Sequence, residues 1–171
     1  MSHTILLVRH GIAAAASAKM SDADRSLTPE GAHKIKRIAA GLKRLGVVPG
    51  AVLSSPLRRA QETAELLAAV LVPDGELEIY APLAPGQRPR DVVSGLTAYR
   101  RADVIILVGH EPGMGELTSQ LLTGSSSSLR LDFKKGGVAA IELGALPPRT
   151  GGRLLWFLTP KQLRLIGRHG H

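Results

Sequence analysis

Two histidines in this chain each follow a short apolar run and lead into a turn: Val8-Arg9-His10-Gly11 and Val108-Gly109-His110-Glu111. A third run, 51–54, leads into Ser55-Pro56-Leu57-Arg58-Arg59-Ala60. If the three ends adjoin, two imidazoles and two guanidiniums meet in one pocket, a set that suits a phosphoryl group. Guanidinium is a rigid fork of donors matched to phosphate oxygens, and it stays charged across the physiological pH range. A neutral imidazole can attack phosphorus through one nitrogen when the other is tied down as a donor, commonly to a backbone carbonyl. Positioning and charge stabilisation dominate phosphoryl transfer, so enough convergent cations make a metal unnecessary. Gly11 would let backbone approach the ligand, and nearby helix N-termini would add partial positive charge.

Strands alternating with helices must hold these ends. Residues 5–8 and 104–108 are apolar without alternation, as in strands buried on both faces. Runs 51–54 and 77–80 read as further strands, and 138–143 with 154–158 as a final pair. Thr28-Pro29-Glu30 opens a helix, with Thr28 able to cap and Pro29 suited to the first turn. Ile35, Ile38, Ala39, Leu42 and Leu45 follow at helical spacing until Gly46. Helices are also predicted over 58–71, 90–99 and 114–122, and from Pro160 onward. The serine-rich loop 124–128 reads as mobile. The pattern predicts one α/β domain spanning 1–171, with a frayed tail from about 165. Its architecture is a three-layer sandwich with helices on both faces of a mixed, mainly parallel sheet. In such sheets ligands bind beyond the carboxyl ends of the strands, where the two histidines fall.

Composition narrows the classes. The chain has 171 residues, 44% hydrophobic, and only 3% aromatic, so aliphatic side chains and alanine must fill the core. There is no cysteine, which removes disulfides, thiolate metal sites and cysteine nucleophiles. A net charge of +8, from 22 Lys and Arg against 14 Asp and Glu, favours phosphorylated or acidic partners. Neither zinc-finger spacing nor an aromatic-rich RNA-binding signature is present, so nucleic acid is not the expected partner. No run reaches membrane-spanning length, and a cytoplasmic protein without membrane contact is expected. Two histidines beside arginines make a poor metal site, because zinc wants three or four ligands and the guanidiniums repel a cation. No metal or other cofactor is expected.

The motifs resemble those of the histidine phosphatase superfamily (phosphoglycerate mutase-like), whose signature is Arg-His-Gly at the end of the first strand. Within it, the SixA-type phosphohistidine phosphatases are the most similar branch. The segment Asp22-Ala23-Asp24-Arg25-Ser26-Leu27-Thr28-Pro29-Glu30-Gly31 looks like the one before that branch's first long helix. Ser55 through Ala64 looks like its second phosphate-binding block, and Trp156-Phe157-Leu158-Thr159-Pro160 like its closing strand and turn. The resemblance implies that His10 accepts the phosphoryl group while Arg9, Gly11, Arg59 and His110 bind it. It leaves Arg58 on the surface. Glu111 stands where the acid-phosphatase branches carry a proton donor, and is a candidate for that role. Sugar-phosphate mutases usually continue the first motif with Ser or Thr and then Asn, whereas this chain has Ile12-Ala13-Ala14-Ala15-Ala16. The implied activity is metal-independent dephosphorylation, preferably of phosphohistidine on a protein. A small phosphate ester is the alternative substrate, and a non-catalytic phosphoprotein-binding module the alternative class. Inorganic phosphate or sulfate should fit the pocket. A second Arg168-His169-Gly170 has no strand before it and is assigned no function; His3, His33 and His171 are read as surface residues.

Overall fold

Unbroken apolar runs form strands where both faces of a sheet are covered, and two such runs become the centre of this molecule. The computed structural model describes residues 1–168. In it β1 (His3–Arg9) pairs in parallel with β4 (Val104–Gly109). Outward from β4 lie β2 (Ala51–Ser54) and β3 (Leu77–Ile79), both parallel to it. Outward from β1 lie β5 (Val138–Leu143) and β6 (Arg153–Leu158), each antiparallel to its neighbour. The order is therefore β3-β2-β4-β1-β5-β6, the mixed, mainly parallel sheet that the pattern predicts.

Helices cover both faces. Leu6 and Val8 pack against α1 (Pro29–Arg44), α2 (Arg58–Leu71) and α5 (Pro160–Gly167), through residues such as Ile38, Leu67 and Leu163. Ile5 and Leu7 face the opposite way, towards α3 (Pro89–Gly95) and α4 (Gly113–Thr123), meeting Val92 and Leu117. Each fully buried Leu or Ile contributes roughly 1.5–3 kcal/mol, so this alternate-residue division fixes the strand register. Thr28 caps α1 by accepting the Gly31 N–H at 2.9 Å. A side chain at Gly31 would strike the Ile12 carbonyl, so the glycine lets α1 pack against the chain just after His10.

Four details depart from the sequence reading. The helix predicted over 90–99 is α only to Gly95 and continues as a 3-10 turn, Leu96–Tyr99. Tyr80 donates to the Val92 carbonyl at 2.8 Å, and Leu96 N–H turns to Val93 instead. The loop after α4 is held rather than loose: Ser119 Oγ donates to the Ser125 carbonyl at 2.6 Å and accepts from Leu129 N–H at 2.9 Å. The last helix runs to Gly167, past the expected start of the tail, and Arg44 donates to the Arg168 carbonyl at 2.7 Å. His169, Gly170 and His171 lie outside the described residues. His3, read as a surface residue, is buried, with Nδ1 2.9 Å from the Ala102 carbonyl. No helix among the described residues is long and apolar enough to cross a membrane.

Register brings the three motif-bearing ends level. Arg9 pairs with Gly109, and Ser54 with Val108, so His10, His110 and Ser55 emerge side by side from β1, β4 and β2.

Candidate active site

His10 is the first residue beyond β1. Its backbone N–H donates to the Gly109 carbonyl at 3.0 Å, and its Nδ1 lies 2.7 Å from the Gly11 carbonyl. A carbonyl only accepts, so Nδ1 carries the proton and Nε2 keeps its lone pair. Gly11 also has work in the fold. Its N–H donates to Thr63 Oγ1 at 3.0 Å, its carbonyl orients His10, and a side chain there would press on Ile35.

The other sequence-predicted residues gather around that nitrogen. The His10 and His110 rings stand 5.1 Å apart, centre to centre. Arg59, in the first turn of α2, is 6% exposed and donates to the Asp22 carbonyl at 2.8 Å and to Asp22 Oδ2 at 3.2 Å. Arg58 instead points outward and pairs with Glu62 at 3.1 Å. Arg9 Nη1 donates to the Phe133 carbonyl at 2.7 Å. Ser55 Oγ accepts from Leu57 N–H at 3.2 Å and lies 2.7 Å from His110 Nε2. That network favours Ser55 donating to Nε2, which places the imidazole proton on Nδ1.

Three buried nitrogens then have no partner among the described residues: Arg9 Nε, Arg59 Nε and His110 Nδ1. Each such group costs about 1–3 kcal/mol if left unsatisfied. They belong to side chains near His10, His110 by ring distance and Arg9 and Arg59 by the charge they exert on it, and are donors of the kind that suit the oxygens of a tetrahedral oxyanion.

Burial, opposed by the Gly11 hydrogen bond and reinforced by Arg59, Arg9 and Lys135, lowers the pKa of His10 to about 4. Burial, with His10 and Arg59 nearby, lowers His110 to about 3 against a weak opposing pull from Asp22. Both imidazoles are therefore neutral near pH 7, as a nucleophile requires. The sign for stability follows. The unfolded chain binds more protons between each folded value and the ordinary 6.5, so these histidines' contribution is complete above pH 6.5 and is lost as pH falls towards 4. In the free protein, NMR titration should show no protonation of His10 between pH 5 and 8, a window above its value of about 4. A midpoint near 6.5 would contradict this environment.

Glu111 follows His110 through a cis peptide to Pro112, beside a cleft of about 330 Å³ that His110 also lines. Burial raises its pKa, opposed by two backbone donors. Those donors are Gly115 N–H at 2.8 Å on Oε1 and Phe133 N–H at 3.4 Å on Oε2. Both oxygens thus brace the start of α4 and the segment whose carbonyl holds Arg9. Across the cleft, Pro82, Pro85, Gly86 and Gln87 present no titratable group, while Glu116 of α4, an exposed carboxylate, lines it beside Glu111. Among the described residues no three His, Asp or Glu side chains cluster as a metal site would need.

Sequence reasoning missed Ser55, Thr63 and Asp22. Ser55 was within a quoted motif but had no role until β2 and β4 were adjacent. Thr63 reads as part of the apolar face of α2, four residues after Arg59, whose carbonyl its hydroxyl also bonds at 2.7 Å. Asp22 is distant in sequence from Arg59, and nothing local links the two.

Residues 5–80 match the histidine phosphatase superfamily (branch 1). An uncharacterized protein of Picosynechococcus sp. is 34% identical over 163 residues, covering 91% of this chain and 95% of that one. The chain belongs to the histidine phosphatase superfamily, whose members include phosphatases that act through a histidine. Within that family it is similar to the phosphohistidine phosphatase SixA of Escherichia coli, at 28% identity over 94% of this chain and 96% of the relative. A solved structure of the protein histidine phosphatase SixA with tungstate superposes with a TM-score of 0.82 at 26% identity, covering 94% of this chain and 99% of that one.

Proposed function

We propose that this chain is a phosphohistidine phosphatase acting on phosphorylated proteins, with His10 as the nucleophile and no metal in the reaction. One observation carries the reading: an imidazole with its Nδ1 tied to the Gly11 carbonyl stands among three buried, unpartnered nitrogens. That a similar SixA structure is a complex with tungstate, itself a tetrahedral oxyanion, supports the reading.

Nε2 of His10 attacks phosphorus as the bond from phosphorus to the substrate's imidazole nitrogen breaks. The electron pair leaves with that nitrogen, the ring's other nitrogen having taken a proton from solvent. Arg9, Arg59 and His110 Nδ1–H hold the three phosphoryl oxygens and spread their charge. Water then attacks phosphorus, the bond to Nε2 breaks, and inorganic phosphate departs with the pair returned to His10. The guanidiniums supply the positive charge that a metal would otherwise bring.

Substrate choice turns on the leaving group. An alkyl ester releases an alkoxide that needs a proton from a positioned acid. Glu111 is the candidate donor from the sequence, but its two oxygens accept backbone hydrogen bonds, and the cleft's other carboxylate, Glu116, is an exposed side chain on α4. A phosphohistidine that has taken a solvent proton on its other ring nitrogen releases neutral imidazole without such help. With EDTA present, kcat/KM for a phosphohistidine protein should exceed that for alkyl phosphate monoesters by about 10²-fold or more, the usual worth of a general acid. Preference for an ester, with a large loss in Glu111→Gln, would instead favour a small-molecule phosphatase. Dependence on added metal would contradict the metal-free mechanism.

A further inference from the structure

A second feature borders the site on the side away from the cleft. A groove of about 470 Å³ is lined by Arg9, Lys34, Lys134, Lys135, Lys161 and Arg164, together with Ile12 and Pro160. The fold gathers these cations from four places, the end of β1 supplying Arg9. Lys34 stands on α1, Lys161 and Arg164 on the first turns of α5, and Lys134 and Lys135 on the turn before β5. That turn is fixed by Gly136, whose φ of +85° suits glycine and whose N–H donates to the Arg9 carbonyl at 3.0 Å.

The groove has little negative charge of its own. Glu30 pairs with Lys34 at 2.8 Å. Among the described residues, no carboxylate oxygen comes within 4.0 Å of Lys134, Lys135, Lys161 or Arg164. The groove lies near the site: Arg9, next to His10, lines it, and the charge of Lys135 acts on His10.

We propose that this groove docks an acidic surface segment of the phosphorylated protein, placing carboxylates beside the phosphohistidine presented to His10. The proposal rests on the phosphohistidine-protein reading above and names the surface chemistry of that substrate. A second phosphate of a small molecule is the weaker match. The pocket at His10 is built from buried donors, whereas Lys134, Lys135 and Lys161 are exposed ammonium groups on flexible stems. Such groups suit carboxylates spread along a protein surface, and they steer encounter more than they fix geometry.

The test uses two synthetic phosphohistidine peptides of equal length, one with Asp and Glu flanking the phosphohistidine and one with Ser and Gln. The acidic peptide should show a kcat/KM about tenfold higher at low salt. The advantage should shrink to about twofold or less near 1 M salt, where the Debye length is about 3 Å. The Lys134→Glu/Lys161→Glu variant changes only exposed side chains, so it should fold normally. It should lose the preference while hydrolysing free phosphohistidine as the parent does. Equal rates for both peptides, or a preference that survives in the variant, would overturn the docking groove and leave the phosphatase reading intact. Stronger inhibition of peptide turnover by a DNA duplex than by polyglutamate would overturn it in favour of nucleic acid. Faster turnover of a bisphosphorylated metabolite than of either peptide would assign the groove to a second phosphate. Failure to hydrolyse any phosphohistidine substrate would remove the functional reading and the docking proposal together.

Discussion

The His10→Ala variant is expected to fold and to hydrolyse no phosphorylated substrate, a loss on the order of 10⁴-fold or more, as when other covalent nucleophiles are removed. His10 is only 6% exposed, so its removal touches the packed interior. Alanine removes the Nδ1 hydrogen bond to Gly11, worth about 1 kcal/mol net. It also removes a buried imidazole whose charged form is penalised, and the main-chain bond to Gly109 persists. The thermal midpoint should therefore move by only a few degrees, about what 1 kcal/mol produces in a domain of this size. His169, in the second Arg-His-Gly, is the internal control: its replacement by alanine should leave turnover unchanged.

Arg59→Ala should have the next largest effect, lowering kcat by about 10²–10³-fold, the usual result of removing one donor from a transition-state charge. Its guanidinium does two things at once. The Nη atoms hold Asp22, and so the short Asp22–Asp24 turn, over the pocket, while Nε remains for the phosphoryl oxygens. Lysine restores charge without the fork, so Arg59→Lys should recover only part of the loss. Arg58→Ala, one position away, should change kcat little, because Arg58 is bound to Glu62 at the surface. Comparable losses in the two alanine variants would contradict the assignment of Arg59 to the pocket.

The fold was legible because its signals are local and repeated. Apolar runs at 5–8 and 104–108 could only be strands covered on both faces, and Thr28-Pro29 carries its own capping chemistry. Legibility failed where a distant partner decides the outcome. Tyr80 alters the end of α3 through Val92, and Arg44 holds the chain after α5, yet neither contact follows from periodicity. The site divides in the same way. His10, Arg9, Arg59 and His110 stand out as candidates in the sequence because each ends a strand or starts a helix, and the structure places them near one another. Ser55 and Asp22 act through residues that only the sheet order and the Asp22–Asp24 turn bring near. The packing of Gly11 against Ile35 and its bond to the Thr63 hydroxyl likewise depend on partners that no local pattern reveals.

The central claim is that the phosphoryl group passes through His10, and trapping that intermediate tests it most directly. Protein mixed with phosphohistidine substrate and quenched in alkali, where phosphohistidine survives, should carry one phosphoryl group on His10 when mapped by mass spectrometry. The label should appear and decay at rates consistent with turnover, and it should be absent from His10→Ala. Turnover without any phosphoenzyme, or a label on another residue that persists in His10→Ala, would contradict the account.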